Sequence, residues 1–330
     1  MKAIRFARFG PAADVAELVD VAEPSPPEAD EVLIEVLASP INPSEFLSFE
    51  GRFGSYAPKL SAFAGGEAVG RVRAVGADVN HLKPGDRVLT QYGGRGSWRE
   101  RLLTKAAGMF PLPVQVPTLQ LAMLGVNPAT ALNMLRNFVP LRPGDWVLQN
   151  AGNSSVGYNV IRLARRFDAR TVSIVRGEDQ ADQVRAAGGD VVVLDGPDLP
   201  DRVSDAVGSA PIPLAFDAVA GDATKHLGNC VAPGGTVVIY GILSGERSDI
   251  DATDILFRDV RLRGFWLTVW FRTTPHEEKR KVYYELAALM RDGTIDVPVE
   301  ATYPMARFKD ALAHAAGPSR RGKILLVFND

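Results

Sequence analysis

One cysteine in 330 residues, Cys230, excludes an internal disulfide and any zinc site assembled from cysteine pairs. It stands in an apolar stretch, where a lone thiol reads as a small core residue. Charge of one sign is equally scarce. Thirty-seven Lys and Arg stand against 39 Asp and Glu, a formal net charge of −2. No strong positive field exists to hold nucleic acid or an anionic membrane, so neither is expected as a partner. No uninterrupted apolar run reaches the ~18–20 residues of a membrane span. The opening MKAIRFARFGPAADVAEL is basic at its start but has no apolar core of signal-peptide length. It reads as a first β-strand, with the cytoplasm as the expected location. The four histidines, His81, His226, His276 and His314, are scattered and read as surface residues.

The length allows two domains, since single cores rarely grow much beyond ~250 residues. Up to about residue 118 the chain is made of short alternating segments, EVLIEVLAS (31–39), EAVGRVRAV (67–75) and DRVLTQY (86–92). They are broken by Pro26–Pro27, Lys83–Pro84–Gly85–Asp86 and Gly93–Gly94. This pattern predicts strands of a partly closed all-β unit. From about 119 to 268 strands and helices alternate. The predicted strands are DWVLQNA (145–151), TVSIVR (171–176), DVVVLDG (190–196), PLAFDAV (213–219) and TVVIYG (236–241). A helix over 156–167 is expected to bury Val160, Leu163, Ala164 and Phe167 on one face. Such alternation implies an α/β unit with a doubly wound parallel sheet. A last helix from about His276 to Asp292, stopped by Gly293, and a strand KILLVF (323–328) end the pattern.

Between the strand at 145–151 and the following helix runs Asn150-Ala151-Gly152-Asn153-Ser154-Ser155-Val156-Gly157. A strand–turn–helix of this kind turns backbone N–H groups and a helix N-terminus toward a pyrophosphate. Gly152 is read as the tight turn and Gly157 as the close helix–sheet approach. The spacing is not a full G-x-G-x-x-G, and a purely structural βα turn is the competing reading. The second strand ends at Arg176. A guanidinium there suits a 2′-phosphate through charge-assisted hydrogen bonds, pointing to NADPH. Glu178 and Asp179 just beyond are the alternative, acidic reading, and a solvated surface arginine is a third.

Ile41-Asn42-Pro43-Ser44, Gly65-Gly66-Glu67, Lys83-Pro84-Gly85-Asp86-Arg87-Val88 and Arg142-Pro143-Gly144-Asp145 follow one another across nearly the whole chain. In this order they resemble the landmarks of the medium-chain dehydrogenase/reductase superfamily. The resemblance implies a GroES-like, partly closed β-barrel catalytic domain over 1–118. It also implies a Rossmann-fold NADP-binding domain over 119–269 and a return over 270–330 that completes the first domain. Zinc-containing members carry Cys near the position of Asn42 and His directly before the Glu matching Glu67. Here Asn42 and Gly66 stand there, so no metal is expected.

Three segments narrow the resemblance to zinc-free 2-enoyl thioester reductases of the mitochondrial type. They are Val126-Asn127-Pro128-Ala129-Thr130-Ala131, Gln149-Asn150-Ala151 with Asn153-Ser154 and Val156-Gly157, and Arg263-Gly264-Phe265-Trp266-Leu267 with Trp270. It implies cofactor contacts from Asn127, Thr130, Asn153, Ser154, Ser155, Val156, Arg176, Tyr240, Gly241, Ile242, Leu243, Phe265, Trp266, Leu267 and Lys323, beside the turn glycines Gly152 and Gly157. The implied reaction passes hydride from NADPH to the β-carbon of an α,β-unsaturated carbonyl compound such as a 2-enoyl thioester. That family's proton-donating tyrosine lies in a Gly-x-Tyr-Gly segment, which here is Gly51-Arg52-Phe53-Gly54. Phe53 has no hydroxyl, so Tyr56, Thr130 and Asn42 are the candidate donors, with water as a further proton source. A quinone oxidoreductase of the same superfamily is the alternative, and an NADPH-binding regulatory protein with little catalysis is a third. A homodimer paired through edge strands is implied as well, with the apolar segment 260–271 at its seam.

Overall fold

The apolar runs Trp146–Gln149, Arg170–Val175, Leu214–Asp217 and Thr236–Ile239 are buried almost throughout. Strands covered on both faces read this way because a parallel sheet carries helices on each side. In the computed structural model, which describes residues 1–90, 96–317 and 320–328, they form one parallel sheet. Its order is Val191–Leu194, Arg170–Val175, Trp146–Gln149, Leu214–Asp217, Thr236–Ile239, Arg261–Gly264. The sixth strand, RLRG, carries no apolar run to announce it, and all four of its residues are exposed at the sheet edge. The helix expected over 156–167 is Ser155–Ala164 followed by a 3-10 turn, Arg165–Phe167. Val160, Leu163 and Ala164 are buried as expected, whereas Phe167 falls in the turn and is only half-buried.

The chain forms two compact units, Met1–Val126 with Pro275–Asp330, and Asn127–Thr274. The C-terminal return to the first unit is therefore present, but the crossings differ from 118/119 and 269/270. Residues 119–126 are tied to the first unit by hydrogen bonds. Gln120 Nε2 donates to Val297 O (2.9 Å) while Val297 N donates to Gln120 Oε1 (3.1 Å). Residues 270–274 stay with the second unit because they complete the helix Leu267–Thr273, where Thr274 N donates to Trp270 O (2.9 Å).

In the first unit Glu31–Pro40 pairs with Val69–Val75, Arg101–Lys105 and Lys323–Val327, all antiparallel. Lys323–Val327 pairs in parallel with Val299–Pro304. The helix His276–Arg291 ends just before Gly293, whose φ of 79° provides the left-handed stop. Alternate residues of these strands fill a core in which Phe49 packs edge-on against Phe6 (5.0 Å) and obliquely against Trp98 (6.1 Å). The strand expected over 86–92 is Arg87–Leu89; its last residues, Gln91 and Tyr92, and the Gly93–Gly94 turn lie outside the described residues.

Candidate functional site

The sheet order reverses between Trp146–Gln149 and Leu214–Asp217, the place where an open α/β sheet leaves a crevice beyond its strand ends. The turn after Gln149 enters that place. Ala151, not Gly152, is the left-handed residue, at φ 48°. Gly152 is required for another reason: a Cβ there would lie 2.7 Å from Ser173 Cβ, while its N–H donates to Ile174 O (3.1 Å). Gly157 likewise faces the turn rather than the sheet, since its Cβ would meet Ala151 O at 2.9 Å. Ser154 caps the helix Ser155–Ala164 by accepting from Gly157 N (3.0 Å). Asn153 and Ser155 flank it half-buried, and Val156 is buried in the first turn.

Tyr240 follows the strand Thr236–Ile239, and its hydroxyl is buried beside Ser154 without a well-formed hydrogen bond among the described residues. Burial pushes the phenol well above its ordinary range, so it stays protonated and is a donor in search of an acceptor. An orphaned buried donor beside a capped helix N-terminus, with no room for a side chain at Gly152 or Gly157, fits a dinucleotide pyrophosphate. Gly241 presses on Ala218, whose carbonyl accepts from Leu243 N (3.2 Å), and Ile242 and Leu243 are exposed.

Asp217, to which sequence reasoning assigned no role, organises this end of the sheet. Its buried Oδ1 accepts from Asn150 Nδ2 (2.6 Å), Val219 N (2.8 Å) and Ala220 N (3.0 Å). Oδ2 accepts from Thr224 Oγ1 (2.6 Å), and Asn150 Oδ1 accepts from Ala218 N (2.8 Å). One carboxylate thus ties the glycine turn to the loop opposite. The only sequence signal was an acidic residue ending an apolar strand.

Arg176 is exposed directly after Arg170–Val175 and lines a depression with Asp195, Gly196, Pro197 and His226. The acid that shares this depression is Asp195. Glu178 and Asp179 open the next helix instead, where Glu178 pairs with Arg185 (3.4 Å). Asn127 and Thr130 are buried in the first turn of the helix Asn127–Asn137. Phe265, Trp266 and Leu267 are half-buried beyond the edge strand. Phe265 is edge-on to Phe138 (6.2 Å), and the Arg272 guanidinium lies over Trp266 (5.8 Å).

In the first unit Asn42 precedes the helix Pro43–Phe49, and the ends of its amide are engaged. Nδ2 donates to Glu67 Oε2 (2.8 Å), and Oδ1 accepts from Lys323 Nζ. Lys323 also donates to Ile41 O (3.2 Å) and is buried, so two of its three ammonium hydrogens are engaged inside this unit. Burial raises the Glu67 carboxyl, against the pull of the Asn42 hydrogen bond and the Lys323 charge. Burial lowers the Lys323 ammonium, against the pull of Glu67. Phe53 is half-buried and Tyr56, in the turn Gly54–Tyr56, is 64% exposed. Among the described residues no three His, Cys, Asp or Glu side chains are grouped to hold a metal.

Two family models match the chain: the alcohol dehydrogenase GroES-like domain over residues 28–114 and the zinc-binding dehydrogenase model over 155–290. The mitochondrial enoyl-[acyl-carrier-protein] reductase of Mus musculus is 34% identical over 332 residues, covering 99% of this chain and 88% of the relative. The structure of a putative NADPH:quinone reductase from Bacillus thuringiensis has a TM-score of 0.92 at 26% identity, covering 99% of both chains. Escherichia coli quinone oxidoreductase complexed with NADPH has a TM-score of 0.89 at 24% identity, covering 99% of this chain and all of the other. The chain belongs to the medium-chain dehydrogenase/reductase superfamily, in the group that holds the mitochondrial enoyl-[acyl-carrier-protein] reductases.

Proposed function

We propose that the protein is an NADPH-dependent, zinc-free reductase of α,β-unsaturated carbonyl compounds, with a 2-enoyl thioester as the favoured substrate class. The observation that carries the cofactor is the glycine turn with the orphaned Tyr240 hydroxyl and Arg176 on the same unit. When bound, NADPH supplies the hydride. The chain's own residues do the rest. The N–H groups at the start of Ser155–Ala164 and the Tyr240 hydroxyl hold phosphate oxygen, and Arg176 pairs with the 2′-phosphate. Phe265 and Trp266 exclude water. Thr130 Oγ1 on the nucleotide unit is a candidate donor to a developing enolate oxygen. The relatives at more than 30% identity favour the thioester. Phe53, with the likeness to a quinone reductase at 26% identity, favours quinone reduction as the second reading.

The test follows NADPH oxidation with a crotonyl thioester, a short enone and a benzoquinone, before and after exhaustive chelation. Turnover of the thioester at an unchanged rate after chelation is the expected result. Activity lost on chelation and restored by zinc would end the metal-free reading, and benzoquinone as the sole acceptor would select the second one. In the same assay Arg176→Ala should weaken NADPH by roughly ten- to a hundredfold, since a hydrogen bond to a charged group contributes ~1.5–3 kcal/mol. It should barely affect NADH; equal losses with both would show that Arg176 does not read the phosphate.

We further propose a homodimer through the nucleotide units. The edge strand Arg261–Gly264 is exposed along its length, and the helix Ala252–Arg258 beside it presents Ile255, Leu256 and Phe257 at 54%, 74% and 77% exposure. Light scattering at micromolar concentration should give about twice the chain mass. A monomer mass, unchanged by Phe257→Asp, would refute the pairing.

A further inference from the structure

Arg176 and Asp195 stand at the same level on two neighbouring strands. Val175 and Leu194 are partners in the parallel register of Arg170–Val175 with Val191–Leu194, and each is the last residue of its strand. Asp195 N donates to Val175 O (2.8 Å), so the pairing runs one step further, to Asp195 itself. Neighbouring strands lie about 4.8 Å apart, and both residues line one depression with Gly196, Pro197 and His226. All five belong to the nucleotide unit. They lie beyond the end of its second strand, where a sheet of this kind reads the adenosine ribose.

The depression carries one fixed charge of each sign. Among the described residues Arg176 and Asp195 form no ion pair, with each other or with a third group. The acids beside them in sequence are paired elsewhere. Asp198 meets Arg202 (3.0 Å), and Glu178 and Asp182 meet Arg185 (3.4 and 2.8 Å). Asp195 is held by its own loop, since Oδ1 accepts from Gly196 N (3.0 Å). That bond fixes the carboxylate and leaves Oδ2 as an acceptor.

A ribose 2′-phosphate offers acceptors and a charge near −2, whereas a ribose 2′-hydroxyl can donate. The guanidinium carries only donors and fits the first, and the carboxylate carries only acceptors and fits the second. A carboxylate one strand away also opposes the phosphate that Arg176 attracts. A depression selecting the phosphate alone would be better without it.

We infer that Asp195 is a specificity-determining residue that accepts from the ribose 2′-hydroxyl of NADH, so that this unit takes both dinucleotides, Arg176 holding one and Asp195 the other. The inference goes beyond the NADPH reading above and rests on it.

Fluorescence titration of the full chain with NADPH and, separately, with NADH reads both affinities without turnover. The wild type should bind both. Asp195→Asn keeps the shape and the acceptor for Gly196 N but removes the charge. It should weaken NADH by about five- to tenfold, the difference between a charged and a neutral hydrogen bond. It should tighten NADPH several-fold, because the repulsion of the phosphate is gone. A residue that only shapes the loop would shift both affinities the same way. Equal shifts for the two cofactors, or unchanged NADH affinity, overturn the inference. Should the amide variant fail to fold, Asp195→Ser, whose hydroxyl still accepts from Gly196 N, is judged by the same outcomes. A wild type that binds NADPH but not NADH overturns the inference alone. One that binds neither overturns the cofactor reading and the inference with it.

Discussion

Asp217→Ala should lower the thermal midpoint of the nucleotide unit by about 6–12 °C and abolish measurable NADPH binding. The carboxylate accepts from Asn150 Nδ2, Val219 N, Ala220 N and Thr224 Oγ1 in a fully buried place. Alanine leaves four donors without that acceptor. Each unsatisfied buried group costs ~1–3 kcal/mol, and because neighbours do not add independently the loss is put at no less than about 3 kcal/mol. For a unit of this size 1 kcal/mol shifts the midpoint by roughly 2–4 °C. Binding suffers more than stability because Asn150 starts the glycine turn and residues 218–220 form the facing loop. Asp217→Asn should be milder. Its remaining oxygen keeps the Oδ1 donors, and Thr224 Oγ1, which lies 2.9 Å from Ser248 Oγ, can rotate its hydrogen there and accept from the new amide. Calorimetry with NADPH titration decides it. A midpoint within about 2 °C of wild type together with intact binding in Asp217→Ala would show that the loops hold without the carboxylate.

Phe53→Tyr should raise turnover of a crotonyl thioester at least several-fold and leave NADPH affinity unchanged. A general acid contributes about 10²–10⁴-fold, and Phe53 stands where the resembling reductases carry a phenol. The backbone is already set, since Tyr56 N donates to Phe53 O (3.0 Å) at the start of a 3-10 turn. The change therefore adds one oxygen to a half-buried ring of the same shape. Tyr56→Phe belongs in the same experiment. An exposed phenol is solvated by water and is a weak general acid until something covers it. A large loss in Tyr56→Phe, with no gain in Phe53→Tyr, would make Tyr56 the donor. No change in either would favour the quinone reading, whose electrophilic substrate needs less acid assistance.

Features legible in the chain alone are local ones. Runs rich in β-branched residues such as TVVI and TVSIV specify strands buried on both faces, and their alternation with helices specifies a parallel sheet. The glycine turn was legible because strand, turn and helix are contiguous, and Arg176 because it directly follows its strand. Asn42, Gly66 and Phe53 could be read as departures from the superfamily's pattern because each lies inside a short landmark. Tertiary structure decided whatever depends on residues meeting from a distance. That Ala151 takes the left-handed conformation, while Gly152 is needed for want of space against Ser173, depends on the neighbouring strand. That Asp195 and His226 share a depression with Arg176, rather than Glu178 and Asp179, depends on which strand ends lie side by side. Lys323 is marked in the sequence only by the resemblance, as a cofactor contact; sheet pairing is what carries it to Ile41 and Asn42. Hydrogen bonds between positions 42, 67 and 323 leave no periodicity in a sequence. A buried polar group shows there only its type, and its partner is chosen by the fold.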